Sequence, residues 1–536
     1  MAVNVVNLDA LIPREDFAVD AEPPHVTALE KISIVHLEGP FFGPDLRKPD
    51  FQRETTQWTP QKVVDLVKAF VDADLIPAVI LWKAGRYVFV IDGAHRLSAL
   101  LAWIHDDYGD RKRSLDFFGG IITEDQRRVA AKTRALVNKV VGSYQEYVAA
   151  RSNAAGAPEH LQKRLSNLSI NSVIAQWVPT TDARSAEDSF FKINQAATPI
   201  DPTERRILKA RRSASAVAAR AITHGGTGHK YWLSFDRETK EAIEVAGSTI
   251  YRALYDPPIS GSPLTTLDVP VAGRGYNALP FVFDFVNQAN SVDVEDTTNK
   301  KVLREVLPDD PDGSSTLEYL RQVRRRVERI TTDAPGSLGL HPVVYFYTRS
   351  GTFQPTAFLA VSRLMEGLAA RDKLGDFIEV RREFEDFLVL RKEAMSLLIH
   401  KLGSGDRSLP WLERYYLRIL EGLWSGLTGD EIQAGLADDA DFAFLTVPRP
   451  AGVRPESTKT KHPFSSGTKT AAFFASALPN GTRCAICGAL VHKNSVHFDH
   501  RQRVSEGGAG DASNAQVAHP YCDSTFKEQG RSVVRR

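Results

Sequence analysis

Apolar side chains recur every three or four positions from Trp58 to Ala73, with polar residues between them. This period predicts an amphipathic helix, and Thr59 and Pro60 suit its cap and first turn. Two runs rich in β-branched and aromatic residues follow at 78–82 and 87–91, and the short link between them suits a hairpin. The early pattern therefore predicts a helix followed by a pair of strands.

The second strand leads into a segment, Asp92 to Arg96, that opens another helical pattern. A strand-to-helix junction presents free backbone N–H groups and the positive end of the helix dipole, which suits a phosphate. Gly93 permits close approach of such a ligand, and the Arg96 guanidinium can fork onto its oxygens. The same spacing also fits a plain turn with Asp92 as the helix cap and Arg96 in a salt bridge, and spacing alone favours that simpler arrangement.

The remaining pattern is mainly helical up to about residue 447, apart from a strand predicted at Ile170–Val178. The glycine-rich segment Gly225–Lys230 lacks the spacing of a phosphate-binding loop and is predicted to be a plain loop between domains. No motif in 223–447 dictates a chemistry, so an interaction or spacer role is expected there. Helices are predicted at Ser185–Asn194, Pro202–Arg220, Ala278–Ala289, Ser315–Ile330, Gln354–Ala370, Phe377–Leu402 and Leu409–Leu427.

The composition is that of a globular protein. The chain has 536 residues, of which 43% are hydrophobic and 25% are charged, and this length predicts about three domains. It contains no apolar run of about 18 residues, so no membrane span is expected. The first residues carry acids where a secretion signal needs a basic and then an apolar region. A cytoplasmic location is therefore expected.

The net charge of +1 hides an asymmetry along the chain. Residues 448–536 contain 13 Lys or Arg and 6 Asp or Glu, whereas residues 1–447 contain 54 and 60. A basic end on a slightly acidic body suits contact with a polyanion, and it equally suits a solvated basic linker. The segment 448–470 is rich in Pro, Ser, Thr and Lys and is predicted to be a linker.

All three cysteines lie near the end of the chain, and they form a regular pattern with one histidine. Cys484 and Cys487 make one C-x2-C pair, and His519 and Cys522 make a second pair with the same spacing. Four such soft or borderline ligands suit tetrahedral zinc, and three cysteines do not suit a disulfide framework. A purely structural zinc ribbon that binds a partner stays open on this pattern alone.

The residues between these pairs carry a second pattern. A β-like run ends in Asp499 and His500, a glycine pair then makes a turn, and Asn514 and Asp523 follow. In this order the segment resembles the HNH endonuclease family. The resemblance implies a β-hairpin and helix wrapped on a catalytic metal ion, with a separate structural zinc held by the cysteine pairs.

The resemblance also implies a role for each side chain. His500 would be the general base that activates water, because a neutral imidazole near pH 7 suits that task. Asp499 and Asp523 would hold Mg2+ or Mn2+ through hard oxygen ligands. Asn514 would join the two arms of the motif by hydrogen bonds. Asp523 replaces the His or Asn that is usual in the family, and His519 replaces a frequent Cys.

A second resemblance is spread over the first part of the chain. It rests on a series of short segments in this order: Phe51–Arg53 with Trp58, Leu75–Pro77, Asp92–Arg96, Phe191–Asn194 and Glu204. Together these resemble the ParB-like nuclease and nucleotidase superfamily, in particular its DGQQR and DGQHR branches in GmrS-type and SspE-type anti-phage proteins and in DNA-phosphorothioation regulators. The resemblance implies an α/β domain that binds or hydrolyses a nucleoside triphosphate, or that couples DNA sensing to an effector.

That family contacts its nucleotide through the segment around the Asp-Gly pair. Carried onto this chain, the resemblance implies nucleotide-binding roles for Arg53, Asp92, Gly93, His95 and Arg96. Two glutamines of the family motif are replaced here by alanine and His95. This departure weakens the expectation of nucleotide hydrolysis more than the expectation of the fold.

These observations predict an α+β multidomain protein. Its parts would be a ParB-like α/β sensor at 1–222, a helical middle at 223–447, a basic linker at 448–470 and a zinc-bearing HNH domain of the ββα-metal type at 471–536. The leading hypothesis is a nickase or endonuclease of a bacterial anti-phage restriction system that acts on double-stranded DNA, and the sequence leaves nicking and double-strand cleavage both open. The sensor would detect a DNA modification such as phosphorothioate, or a nucleotide, and DNA-modification or other defence proteins would be its partners.

Two other hypotheses stay open. A DNA-binding regulator whose zinc module is only a basic clamp would bind DNA without cutting it. An NTPase whose C-terminal module recruits a partner would lose hydrolysis on Arg96→Ala and would not depend on Asp499. A plain clamp has no need of Asp499, His500 and Asn514 together, so the endonuclease hypothesis leads.

Overall fold

The computed structural model describes residues 5–17, 29–52, 54–152, 158–179, 182–183, 185–187, 202–275, 278–292, 307–403, 405–445, 463–531 and 533. The strands are β1 Arg14–Glu15, β2 Lys31–Ser33, β3 Leu46–Pro49, β4 Val79–Ala84, β5 Tyr87–Asp92, β6 Ser172–Trp177, β7 His497–His500 and β8 Ala515–Ala518.

The α-helices follow the order Ile34–Glu38, Phe42–Asp45, Pro60–Val71, Ala94–His105, Lys112–Phe117, Glu124–Val140, Tyr144–Arg151, Glu159–Ile170, Pro202–Lys209, Ala214–Thr223, Arg237–Tyr255, Leu279–Ala289, Ser314–Ile330, Pro342–Tyr345, Pro355–Ala370, Leu374–Glu379, Arg381–Leu390, Glu393–Leu402, Leu409–Trp424, Gly429–Asp438 and Ser466–Ala477.

Among the described residues, one mixed sheet of six strands forms early in the chain, in the order β1-β3-β5-β4-β6-β2. β4 and β5 are antiparallel neighbours, and the turn between them contains Gly85 with φ +52°. β3 runs parallel to β5, and β6 runs parallel to β4. Because β5 has a neighbour on each side, the residues that follow it emerge within the sheet and not at its edge.

The early sequence pattern is confirmed by these elements. The first amphipathic helix is Pro60–Val71, and Thr59 caps it by accepting a hydrogen bond from the Lys62 backbone N–H. The predicted strand pair appears as β4 and β5, and the predicted strand near Ile170 appears as β6. The glycine-rich Gly225–Lys230 segment is a loop, as predicted.

Alternate residues of β4 and β5 divide between two apolar clusters. Val79, Leu81, Val88 and Val90 join the larger cluster, which contains the buried faces of helices Pro60–Val71 and Ala94–His105. Trp82, Ala84, Phe89 and Ile91 join a smaller cluster with Phe17 and Phe51. Since strand side chains alternate in direction, both faces of the sheet are covered, and this holds the end of β5 in place.

A buried ionic network ties the first described segment to β3. Asp9 accepts hydrogen bonds from Lys48 Nζ at 2.7 Å and from the Thr55 backbone N–H at 3.0 Å, and it pairs with Arg14. Burial acts to raise the pKa of Asp9, but the two cations hold it well below its ordinary value. The network therefore fixes the backbone on both sides of the Phe51–Gln52 pair.

Two long helices predicted from the sequence are wrong because each is interrupted. The run Pro202–Arg220 breaks before Ser213, whose hydroxyl caps the next helix by accepting from the Ala216 N–H. The run Phe377–Leu402 breaks before Arg381 and near Lys392. Both of these cations are buried and donate to backbone carbonyls of other segments. The apolar period of the sequence does not reveal such tertiary hydrogen bonds.

The described residues divide into two compact units. One is formed by the described parts of 1–248, 276–286 and 294–320, and the other by those of 249–275, 287–293 and 321–536. The second unit therefore contains helices of the middle region as well as the C-terminal cysteine pairs. The domain boundaries proposed from the sequence stay a prediction, and residues 448–462 of the predicted linker lie outside the described residues. Within the described part, no helix is both long and apolar enough to cross a bilayer.

Candidate functional site

The four residues of the cysteine pairs converge on one buried point. The Cys484 backbone N–H donates to the Ala489 carbonyl, and the Gly488 N–H donates back to the Cys484 carbonyl at 2.9 Å, which folds the first pair into a tight turn. His519 follows β8, and Cys522 begins a π-helical turn. The ligand atoms of Cys484, Cys487, His519 and Cys522 all lie within 4.8 Å of one another.

His519 is oriented as a metal ligand through its Nδ1 atom. Nδ1 lies 3.4 Å from the Cys487 Sγ atom and 3.8 Å from the Cys522 Sγ atom. The other ring nitrogen, Nε2, lies 3.0 Å from the Leu490 carbonyl oxygen. A hydrogen bond from Nε2–H to a carbonyl fixes the tautomer that leaves Nδ1 free to bind a metal.

The donor chemistry of this cluster fits zinc. Three sulfur atoms and one imidazole nitrogen make a closed Cys3His set. The pKa of Cys522 is raised well above its usual value because its thiol is hydrogen-bonded to the Cys484 and Cys487 sulfurs and is buried. The cluster therefore needs a cation to hold three thiolates together, and a bound metal such as zinc accounts for the arrangement.

A buried ion pair lies against the cluster. Arg381 Nε donates to Glu385 Oε1 at 2.9 Å, and both side chains are buried. Burial acts to lower the pKa of Arg381, but Glu385, Tyr345 and the neighbouring thiols raise it. Glu385 also accepts a hydrogen bond from the Leu490 backbone N–H at 3.0 Å. The pair thus places a positive charge beside the thiols and binds the residue that orients His519.

The hairpin of β7 and β8 presents a second polar group. Asp499 lies opposite Gln516 in this antiparallel pair, and Gln516 Nε2 donates to Asp499 Oδ2 at 2.8 Å. Lys527 Nζ lies 2.6 Å from Asp499 Oδ1 and 2.8 Å from Oδ2, and it also donates to the His500 carbonyl at 3.0 Å. Burial acts to raise the pKa of Asp499, but Lys527, Gln516 and Asp523 together lower it.

Asp523 lies near Asp499, because its carboxyl group contributes to the lowered pKa of Asp499. Asp523 Oδ2 is 3.1 Å from His497 Nδ1, and His497 Nε2 is 2.9 Å from the Asp333 carbonyl oxygen. Two adjacent carboxylates suit a hard divalent cation. In the structure Lys527 Nζ contacts both Asp499 oxygens, which are the ligand atoms that such an ion would need. A divalent cation could therefore bind Asp499 only if the Lys527 ammonium moved away.

His500 follows Asp499 and faces the opposite side of β7. Its imidazole is partly exposed and has no hydrogen-bond partner among the described residues. Asn514 closes the loop beyond it. The Asn514 side chain accepts from the Gln502 N–H at 2.8 Å and donates to the Gln502 and Ala509 carbonyls at 3.0 and 2.8 Å. The structure thus places Asp523 near Asp499, while the catalytic roles assigned to these residues stay a prediction.

The strand-to-helix junction predicted at the end of β5 has the expected backbone. Gly93 has φ +95°, and a Cβ there would lie 2.5 Å from Val79 Cγ1, so only glycine fits. Asp92 forms no helix cap, because its Oδ2 accepts from Arg96 at 2.7 Å. Arg96 also donates to the Ala78 carbonyl at 3.0 Å. The salt bridge of the simpler sequence interpretation is therefore present.

The surroundings of this junction still contain unsatisfied polar atoms. Arg96 Nε and Gln52 Oε1 are buried without a hydrogen-bond partner among the described residues. His95 stacks on Trp58 with ring centroids 5.5 Å apart. Arg53 and the Phe191–Asn194 segment lie outside the described residues. The nucleotide-binding roles of Asp92, Gly93, His95, Arg96 and Arg53 therefore stay a prediction.

Several residues of the C-terminal site were missed by reasoning from the sequence. Lys527 lies one helical turn after Asp523, and Gln516 lies two positions after Asn514, so their spacing was a usable signal. His497 opens the strand that carries Asp499. Arg381 and Glu385 left no signal, because a pair four residues apart on a helix is ordinarily a solvated surface pair.

Comparison with known protein families finds a match for two segments of the chain. Residues 36–212 match the model of the N-terminal domain of the GmrSD restriction endonuclease, and residues 484–527 match the model of the HNH endonuclease. No curated protein and no solved structure matches the chain.

These two matches support a restriction-type DNA endonuclease, with DNA as the implied substrate. The HNH match also covers every residue of the Cys3His cluster together with Asp499, His500, Asn514 and Asp523.

Proposed function

We propose that this protein is a restriction endonuclease that nicks double-stranded DNA at its HNH site under the control of its N-terminal domain. The observation that carries the proposal is that Asp523 lies near Asp499, the residue before His500 on β7, and that the His500 imidazole has no hydrogen-bond partner among the described residues. The pairing of a GmrSD-type N-terminal domain with an HNH domain supports the restriction context.

The chain's own residues would divide the reaction between them. His500 would take a proton from the attacking water, since its imidazole has no hydrogen-bond partner among the described residues. Asp499 and Asp523 would hold Mg2+ or Mn2+, and that ion would supply positive charge to the phosphate oxygens. Asn514 would keep the loop after β7 closed through its three hydrogen bonds. The Cys3His cluster would keep the hairpin and the final helical turn together.

The N-terminal domain would act as the sensor that licenses cleavage. This part of the proposal rests on the resemblance to ParB-like proteins, which implies detection of a nucleotide or of a DNA modification such as phosphorothioate. It is supported by the buried, unpartnered Arg96 Nε and Gln52 Oε1 atoms beside the Gly93 junction. A nuclease inside its own host needs such control. DNA-modification or other defence proteins would be its partners.

A supercoiled-plasmid assay with Mg2+ or Mn2+ tests the nuclease. We expect the wild-type protein to produce relaxed circles and His500→Ala to produce none. The matched control is His400→Ala, which removes an exposed histidine of the same compact unit. Cleavage that survives His500→Ala would contradict the assigned base. A comparison of plain with phosphorothioated plasmid, with and without ATP or GTP, tests the control by the sensor.

One observation favours a second function, that of a DNA-binding regulator that does not cut. Lys527 Nζ pairs with the Asp499 carboxylate, and such an internal ion pair is what a purely structural zinc module would tolerate. This function predicts equal DNA binding by the wild-type protein and His500→Ala, with no relaxed product from either under any nucleotide or metal condition.

A further inference from the structure

A cavity of about 360 Å3 lies beside the helix Ser314–Ile330, within the second compact unit. Gln322, Arg325, Arg326 and Arg329 line it and share one face of the helix, because they are spaced by three, four and seven residues. Three guanidinium groups therefore point towards one space.

These guanidinium groups are not neutralised by their surroundings. Among the described residues, none of the three has a hydrogen bond or an ion pair. The cavity is also lined by Glu328 and Glu366. Glu328 is paired with Arg324, whose Nε lies 2.7 Å from its Oε1. Glu366 is then the single unpaired acid against three cations, which leaves an excess of about two positive charges.

The pKa of Arg326 agrees with this excess. Burial lowers it, Glu366 raises it and the nearby Arg363 lowers it further. Arg363 is itself paired with Glu413 at 3.2 Å. A partly desolvated guanidinium with a second cation nearby gains most from an anionic ligand, and a planar fork of N–H donors matches phosphate oxygens.

The cavity adjoins the candidate nuclease site. Ala334 and Gly336 line it, and the residues next to them in the chain contact the HNH domain. The Asp333 carbonyl lies 2.9 Å from His497 Nε2, and the Ser337 carbonyl accepts from the Tyr521 N–H at 2.9 Å. The same short loop therefore lines the cavity and contacts His497 and Tyr521, which lie two positions before Asp499 and Asp523 in the chain.

We propose that the cavity formed by Arg325, Arg326 and Arg329 binds phosphate groups of the DNA backbone that flank the bond to be cut. This inference rests on the proposed function and extends it by naming the surface that holds the substrate. The surface is suited to backbone phosphates of any sequence, because guanidinium contacts to phosphate position a duplex without reading its bases.

Salt-dependent DNA binding tests the inference. The probe is a fluorescent duplex of about 30 base pairs, titrated with the full chain without added divalent ions, so that no cleavage interferes. The variant Arg325→Gln/Arg329→Gln removes two lining cations. The matched control is Arg349→Gln/Arg418→Gln, which removes two exposed arginines of the same unit that do not line the cavity.

We expect the slope of log affinity against log salt concentration to become shallower by about two in the cavity variant, since each lost phosphate contact removes about one unit. The control variant should keep the wild-type slope, so that any small loss of affinity is the same at every salt concentration. If the double variant fails to fold, Arg325→Gln alone, at an exposed position, should still reduce the slope by about one.

Two results would overturn the inference. One is an equal slope for wild type and the cavity variant. The other is unchanged duplex binding with loss of ATP or pyrophosphate binding by calorimetry, which would assign the cavity to a free phosphate compound. The plasmid assay separates this test from the proposed function. If the wild-type protein cleaves plasmid but the cavity variant keeps the wild-type salt slope, only the inference about the cavity is wrong. If the salt slope changes but the wild-type protein does not cleave plasmid, only the proposed nuclease activity is wrong.

Discussion

At the scale of single residues, Lys527 controls whether the Asp499 carboxylate is accessible to a divalent cation. Its Nζ atom contacts both Asp499 oxygens and the His500 carbonyl. Asp499 is only 7% exposed, so its charge must be balanced by a cation. The ammonium and a divalent ion therefore compete for the same two oxygens.

Lys527→Met should tighten the binding of Mn2+ to the protein whose Cys3His cluster is loaded with zinc. We expect a gain of about one order of magnitude, the equivalent of about 1.4 kcal/mol for the loss of one competing charged hydrogen-bond donor. Without Mn2+ the same variant should be less stable, because Asp499 stays buried and unpaired. Calorimetric titration and thermal unfolding measure the two effects, with the exposed Lys493→Met as control. Unchanged or weaker Mn2+ binding would contradict competition.

Gly508 matters for a different reason. A Cβ atom there would lie 2.0 Å from the Gln502 carbonyl oxygen and 2.8 Å from Asn514 Nδ2. The added atom would therefore push the Asn514 side-chain amide away from the Gln502 carbonyl, to which it donates a hydrogen bond.

Gly508→Ala should cost about 1–3 kcal/mol of local stability through this overlap, and plasmid nicking should fall while DNA binding persists. Gly510→Ala is the matched control, because a Cβ at Gly510 meets nothing within 4 Å. Hydrogen exchange at the Arg501 and Gln502 amides, which donate to Asn514, reports the loosening directly. Equal exchange in both variants would show that the hydrogen bonds of Asn514 do not hold this loop.

At the scale of elements, the helix Arg381–Leu390 supports the cysteine pairs. Arg381 donates to the Gly339 carbonyl at 3.0 Å and faces His519 Nδ1 at 3.4 Å, and Glu385 holds the Leu490 N–H. One turn of helix thus contacts both halves of the metal cluster.

Arg381→Met should destabilise the second unit by about 3–5 kcal/mol, because it leaves Glu385 buried without its cation. Zinc affinity should fall as well, since a positive charge beside three thiolates is lost. The neighbouring Arg382→Met is the control, as Arg382 is exposed and lies 3.8 Å from Asp386. Urea unfolding and competition with a zinc indicator measure both effects. Similar losses from the two substitutions would contradict the supporting role of Arg381.

The elements that the sequence predicts well are those whose cause is local. β4, β5 and the helix Pro60–Val71 follow from alternation, from period and from the cap at Thr59. The Cys3His cluster follows from spacing. The helix breaks near Arg381 and Lys392 were not predictable from the apolar period, and the carbonyls to which these two cations donate lie 42 and 48 residues earlier in the chain. The contact of Lys527 with Asp499 likewise depends on how the final turn packs on the hairpin.

At the scale of the whole molecule, buried and partly buried histidines link stability to pH. Burial lowers the pKa of His105 to about 4, that of His229 to about 3 and that of His492 to about 4. In the unfolded chain a histidine has a pKa of about 6.5. Between these values the unfolded chain binds more protons than the folded one, so the free energy of unfolding rises with pH in this window.

Stability should therefore be lost as the pH falls from about 6.5 towards 4. Urea unfolding at pH 7.5 and at pH 5 measures the change. The double variant His105→Gln/His229→Gln should show a smaller difference between the two pH values, whatever its absolute stability. His400→Gln, at an exposed position, should keep the full difference. An equal pH dependence in all three proteins would mean that other groups cause the acid sensitivity.

The attachment of the cysteine-bearing segment to the middle helices has a practical meaning for protein engineering. Four residues of this segment form hydrogen bonds with residues between 332 and 385, namely Leu490, Ser495, His497 and Tyr521. A fragment cut out at residue 471 would leave these donors and acceptors without partners, together with the apolar surface around them. The nuclease segment is therefore not a portable cassette that can be transplanted onto another DNA-targeting protein. A usable graft would begin upstream, with the loop and helices that complete it.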